Sequence, residues 1–198
     1  MPSPPPERPN DLSALDHTRI DAWEERLRTD PQLRQITAES LARGQRYLPG
    51  LRRILAENGL PPSLALLPAI ESGFCPTARG RRGERGLWQL RRSTARRFGL
   101  VVNAHRDDRL HPERATRAAA RFLRALHQRY GDWALTLAAY NAGERRVDRA
   151  LARDPDATFW HLAEQGWLPH ISRDYVPRFF ALLRVAGEQE PTAVGSAL

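Results

Sequence analysis

The residues best placed to do chemistry stand in three short runs. In LLPAIESGFCP, Leu66 to Pro76, a single carboxylate, Glu71, sits among apolar neighbours, where an unpaired acid is uncommon. On a helix, Leu64, Leu67, Glu71 and Phe74 share one face, so Glu71 points where leucines point. Desolvation there raises its pKa, and so does a place in the last turn of its helix. A neutral, proton-donating acid at neutral pH is what general acid catalysis needs; a structural glutamate paired with one of the many arginines fits the same pattern. The second run is Gly86-Leu87-Trp88-Gln89, with a flat apolar ring and an amide that both donates and accepts. Trp88 serves either as a platform for a sugar ring or as plain core. The third run, AAYNAG at 138–143, puts the Tyr140 phenol and the Asn141 amide at a helix end, where capping and packing residues also stand.

Other chemistries are disfavoured by composition. A single cysteine, Cys75, leaves no intramolecular disulfide and no CxxC site. His17, His105, His111, His127, His161 and His170 are too dispersed for an HExxH-type pair, so neither metal nor cofactor is expected. Net charge is +8, and all 31 basic residues are arginine. They run from Arg8 to Arg184 without forming a block, which fits a solvated arginine-rich surface better than a nucleic-acid face. No stretch approaches the roughly 20 apolar residues of a membrane span. The first fifteen residues are proline-rich and polar, with no signal peptide visible in this numbering.

The elements that must position these residues read as helices almost throughout. Apolar spacing predicts helices around Ile20 to Leu27, Leu33 to Tyr47 and Leu51 to Leu55, then one opened by Pro61-Pro62 that carries Glu71. ARGRRGERG, 78–86, is loop material, and Leu87, Leu90 and Ala95 read as a helix up to Gly99. Pro112 opens a long stripe from Ala115 to Tyr130, and Asp132 caps WALTLAAYNAG. Shorter helices follow around Val147 to Leu151, Thr158 to Ala163 and Tyr175 to Ala186. No run alternates with period two, so the class is mainly α with little or no β-sheet. The expected organisation is a proline-rich tail at 1–15, an N-terminal helical extension at 16–58, one helical domain at 59–190 and a tail at 191–198.

Four motifs in order carry a resemblance. ESGF at 71–74, GLWQ at 86–89, AAYNAG at 138–143 and YVP at 175–177 resemble those of lytic transglycosylases of the goose-lysozyme-like superfamily, most closely the membrane-bound transglycosylase D type. GLPPSLALLPAIESGF from Gly59, DDR at 107–109 before HPERAT, and ATRAAARFL extend the likeness to about Ala186. RGQRYLPGLRRILAENGLP is similar to the helical lead-in of that type.

The resemblance implies a lysozyme-like helical fold with a groove for peptidoglycan glycan strands. It makes Glu71 the sole acid/base, has Gln89 contact the muramyl sugar and has Tyr140 and Asn141 line the cleft. Tyr175 would orient the glutamate, and Trp88 is counted with the substrate-binding residues. The implied reaction cleaves the β-1,4 bond between N-acetylmuramic acid and N-acetylglucosamine and closes a 1,6-anhydro ring. It implies action in the periplasm or cell envelope, and a monomer is expected. Two other readings stay open: a goose-type muramidase hydrolysing the same bond, and a non-catalytic glycan-binding subunit of an envelope or secretion apparatus. Asp107 and Asp108 correspond to positions that look structural in the family. Four departures stand out: Gly80 replaces a serine, Gly83-Glu84 a Gly-Ala, Arg91-Arg92 a Met-Pro, and Cys75 the asparagine before Pro76.

Overall fold

Ten helices are present in the computed structural model, which describes Leu12 and residues 15–189. The tails expected at 1–15 and 191–198 lie outside the described residues, apart from Leu12 and Leu15. Asp30 ends α1 (Thr18–Thr29), and its side chain caps α2 (Pro31–Gly44) by accepting from the Gln32 and Leu33 N–H groups. One residue pair, Asp30-Pro31, thus makes the corner between them. α3 (Leu48–Glu57) buries Leu51, Ile54 and Leu55, the stripe its spacing predicts. The expected second helix is shorter than its apolar pattern, because the chain turns at Gln45 to Tyr47 before Leu48-Pro49 begins α3.

The segment opened by Pro61-Pro62 is not one helix. A 3-10 turn at Pro62–Leu66 feeds α4 (Leu67–Glu71), so Glu71 is the last helical residue. Phe74 therefore does not extend that helical face. It has φ 57 and is fully buried, so packing of its ring holds a conformation that side chains rarely adopt. Likewise Leu87 and Leu90 reach the core from a loop braced by bridges between Arg79 and Arg85 and between Arg85 and Leu90. Only α5 (Arg92–Arg97) is helical in that region.

After a 3-10 turn at Asp108–Leu110, α6 (Pro112–Tyr130) ends at left-handed Gly131, and Asp132 caps α7 (Trp133–Ala142) through the Leu135 N–H. Ala134 to Ala139 are all buried, which marks α7 as the central helix, apolar on every side. α8 (Glu144–Leu151), α9 (Phe159–Glu164) and α10 (His170–Gln189) complete the body. α10 starts five residues before the expected Tyr175 and contains Pro177 in its interior. α7 packs on α6, α8, α9 and α10; α1 lies along α10, α2 against α4, and α3 against α6. No described helix is long and apolar enough to cross a membrane.

Candidate active site

Glu71 stands at the end of α4, and its Oε1 accepts the Tyr175 phenol of α10 at 2.5 Å. Burial pushes the carboxyl up to about 7; the Tyr175 hydrogen bond pulls it down, and the negative charge of Glu84 adds to the rise. The helix-end argument from sequence contributes little, because five residues sum too few peptide dipoles. Desolvation is the cause. Burial first, and the charge of Glu71 next, hold both Tyr140 and Tyr175 well above the usual phenol range, so both keep their protons.

Side-chain bonds to backbone and side chain stitch the four motifs together. Ser72 Oγ donates to the Leu87 carbonyl at 2.8 Å, fixing the loop of Trp88 and Gln89 beside α4. From α7, the Tyr140 hydroxyl donates to the Trp88 carbonyl at 2.7 Å, and its ring packs on Phe122. Asn141 Oδ1 accepts from Ser172 Oγ at 2.8 Å, tying the end of α7 to the start of α10. Ser72 and Ser172 were not singled out from sequence. Ser72 lies within ESGF and Ser172 in the first turn of α10, and a serine at either place carries no local sign of its partner.

Gln89 adopts φ 46, and its amide nitrogen donates to the Gly86 carbonyl at 2.8 Å and the Ala78 carbonyl at 3.4 Å. Its Oε1 faces Gly80, 2.9 Å from where a Cβ there would sit. Trp88 is a correction. The ring is fully buried and its Nε1 donates to Thr116 Oγ1 at 2.9 Å, so it is core and offers no face to a sugar. A tryptophan just after a glycine-rich loop carries no local sign of which way it points.

The same loop is clamped from behind. Arg109, 4% exposed, donates to Asp107 and to the carbonyls of Gly83 and Leu90. Gly86 lies so close to the Arg109 carbonyl that no side chain fits there. Asp108 accepts from the Val101 N–H, Arg106 and Arg114; led by the Arg106 bond, these hold its carboxyl at about 2. Both aspartates of DDR are thus taken up by structural bonds. On the opposite side, Arg43 of α2 donates to the Gly73 carbonyl at 2.8 Å, and Ser40 to the Ala69 carbonyl at 3.3 Å. A Cβ on Gly44 would meet the Phe74 ring at 2.6 Å, so α2 and the turn after Glu71 touch at backbone distance.

The structure therefore brings Glu71 and Tyr175 into contact, with Tyr140 within electrostatic reach and Gln89 on the adjoining loop. Asn141 sits next to Tyr140 at the end of α7. A single partly buried carboxyl with a raised pKa, held by a phenol, can give a proton to a bridging oxygen and afterwards take one back.

Residues 52–163 match the family model described as the Transglycosylase SLT domain. The chain is 35% identical over 161 residues to membrane-bound lytic murein transglycosylase D of Escherichia coli strain K12, over 79% of this chain and 34% of that protein. It thus spans about a third of that relative's length. It is 43% identical over 79 residues to peptidoglycan transglycosylase gp16 of Escherichia phage T7, over 39% of this chain and 6% of that one. A solved structure of the lytic transglycosylase Slt from Pseudomonas aeruginosa, an inactive glutamate-to-glutamine mutant, aligns with TM-score 0.60 and 25% identity, over 89% of this chain and 31% of that chain.

Proposed function

The chain belongs to the transglycosylase SLT family, and its helical body has the lysozyme-like fold of the lytic transglycosylases; from that premise we propose that it cuts peptidoglycan glycan strands at the β-1,4 bond between N-acetylmuramic acid and N-acetylglucosamine. The observation that carries this reading is Glu71, a carboxyl raised to about 7 and held by Tyr175 where four distant motifs meet. Neutral Glu71 protonates the glycosidic oxygen as its bond to the muramyl C1 breaks and positive charge spreads over C1 and the ring oxygen. The carboxylate left behind removes the proton of the muramyl 6-hydroxyl, whose oxygen closes on C1. The strand ends in a 1,6-anhydro ring, Glu71 is protonated again, and no water is consumed. One carboxyl serves both steps, where hydrolytic glycosidases pair two. Tyr175 keeps the carboxyl aimed, while Gln89, Tyr140 and Asn141 fix the sugar beside it. The reaction needs neither metal nor cofactor, takes place in the cell envelope, and is carried out by a monomer.

A goose-type hydrolysis needs a base for water. Glu84 is the carboxylate whose charge reaches Glu71. Burial pushes Glu84 up, but the N–H groups of Glu84 and Arg82 and the Arg91 guanidinium together hold it below the usual carboxylate range. With Glu84 engaged by the Arg82 N–H and the Arg91 guanidinium, the base for either acceptor is the Glu71 carboxylate itself, and the acceptor proposed is the 6-hydroxyl that the muramyl sugar carries. Mass analysis of purified sacculi digested by the protein tests this. Products ending in anhydromuramic acid are expected. Products heavier by one water would assign a muramidase, and intact sacculi would leave the non-catalytic glycan-binding reading.

A further inference from the structure

Gly80, Glu84 and Arg91 form one contact group. A Cβ on Gly80 would stand 2.5 Å from Glu84 Oε2, closer than real Cβ atoms approach anything. The carboxylate already occupies that space. It is held there: Oε2 accepts the Arg82 N–H at 2.9 Å, Oε1 accepts Arg91 Nε at 3.1 Å, and the Gly80 N–H bonds the Glu84 carbonyl at 2.9 Å. Gly80 does not have a positive φ, so space alone, and not backbone conformation, excludes a side chain. Gln89 Oε1 lies 2.9 Å from the same point, and the Gln89 nitrogen is taken up by the carbonyls of Gly86 and Ala78. Two acceptor oxygens therefore flank one place on the loop beside Glu71, and one of them is charged.

We propose that Glu84 is a substrate-binding residue of this site: with Gln89 Oε1 it forms an acceptor pair, in the space a residue-80 side chain would fill, that takes a hydroxyl or amide N–H of the sugar next to Glu71. This rests on the reading of Glu71 as the catalytic acid. Arg91 is the side-chain partner that aims the carboxylate, so Gly80, Glu84 and Arg91 act as one exchangeable unit. A second effect follows from charge. The groups facing Glu71 are Tyr175 from α10, Tyr140 from α7 and Glu84 from the loop, while α2 contributes Arg43 to the Gly73 carbonyl. Glu84 is the negative one among them, so removing it makes Glu71 lose its proton at lower pH.

The test is a mutant cycle on soluble uncrosslinked glycan strands, with the full chain, reading kcat, KM and pH profile. Glu84→Ala should lower kcat/KM about tenfold to a hundredfold, the range for a lost hydrogen bond to a charged acceptor. Its alkaline limb should move to lower pH. Glu84→Gln, which keeps an acceptor and loses the charge, should move the limb equally and lose less kcat/KM. Gly80→Ser alone should be impaired because it displaces the carboxylate, and Gly80→Ser/Glu84→Ala should be more active than Gly80→Ser. Parent-like kinetics and an unmoved limb in both Glu84 variants would overturn the proposal, as would strictly multiplicative losses across the cycle. Failure of the catalytic reading is distinguishable, since it appears as an active Glu71→Gln variant.

Discussion

At the scale of single residues, Glu71 in its proposed role couples catalysis and stability through the same proton. Folding raises its pKa from 4.5 to about 7, so the native state binds more protons than the unfolded chain between those values. Stability from this group is thus full below about 4.5 and is lost as pH rises through about 7, by an amount on the order of 3 kcal/mol. Glu71→Gln removes the ionisation and keeps the shape. It should abolish cleavage, melt higher than the parent at pH 8, and match it at pH 4. A variant with most of its activity, or with the same melting difference at both pH values, would contradict the assignment. Tyr175→Phe acts in the opposite direction to loss of Glu84. It removes the hydrogen bond that lowers the Glu71 pKa, so the alkaline limb of activity should move upward while kcat falls about tenfold. The desolvated setting of Glu71 was legible, because one acid at a leucine position is visible in a line of letters. The sequence could not locate Trp88, a buried ring whose Nε1 finds its acceptor in Thr116, twenty-eight residues away.

At the scale of elements, the loop from Ala78 to Leu90 has no regular ladder of its own, and Arg109 supplies what a strand pairing would. Its guanidinium spans Asp107 and the carbonyls of Gly83 and Leu90 in a fixed fork. Lysine has one ammonium and cannot reach all of them. Arg109→Lys should therefore cost about 2–4 kcal/mol in chemical denaturation and raise KM, with the loop carrying Gln89 loosened. Unchanged stability would mean the clamp is redundant. The long stripe of α6 was legible because nineteen residues repeat one pattern. The segment before it was not. Leu87, Leu90 and Ala95 have helical spacing, but the backbone there is set by Gly86 against the Arg109 carbonyl, a contact between residues distant in sequence. The split of the Glu71 segment into a 3-10 turn and five helical residues has a local cause instead: Pro68 lacks the N–H that a continuous helix from Pro62 would need, and it stands in the first turn of α4.

At the scale of the whole molecule, the division into an extension at 16–58 and a domain from 59 follows the motifs rather than the packing. α1 covers α10, α2 braces the turn after Glu71, and α3 lies on α6. Ile20, Leu27, Leu51 and Leu55 belong to the same apolar core as Leu67 and Phe179. A chain beginning at Gly59 would leave the faces of α4, α6 and α10 uncovered, and we expect it not to unfold cooperatively in a thermal melt. A sharp two-state transition from that fragment would restore the extension to the status of an accessory. Sequence spacing reported each helix but not which ones share a core.

Arg184 bears on how freely the chain could be re-ordered. Near the end of α10 it bonds the Leu15 carbonyl at 2.6 Å, Asp21 at 2.8 Å and Glu24 at 3.0 Å, so the two ends of the described chain lie side by side. The five residues from Arg184 to Gln189 add about 7 Å of helix. A flexible linker of about eight residues spans that gap at small entropic cost. The loop between α8 and α9 is exposed at Arg153 and carries no motif residue. A circular permutant opened between Arg153 and Asp154, with Gln189 linked to Leu15, should fold, melt within a few degrees of the parent and cleave glycan strands. Connectivity would then be shown to be dispensable, with the site specified by which helices touch and not by the order in which the chain visits them.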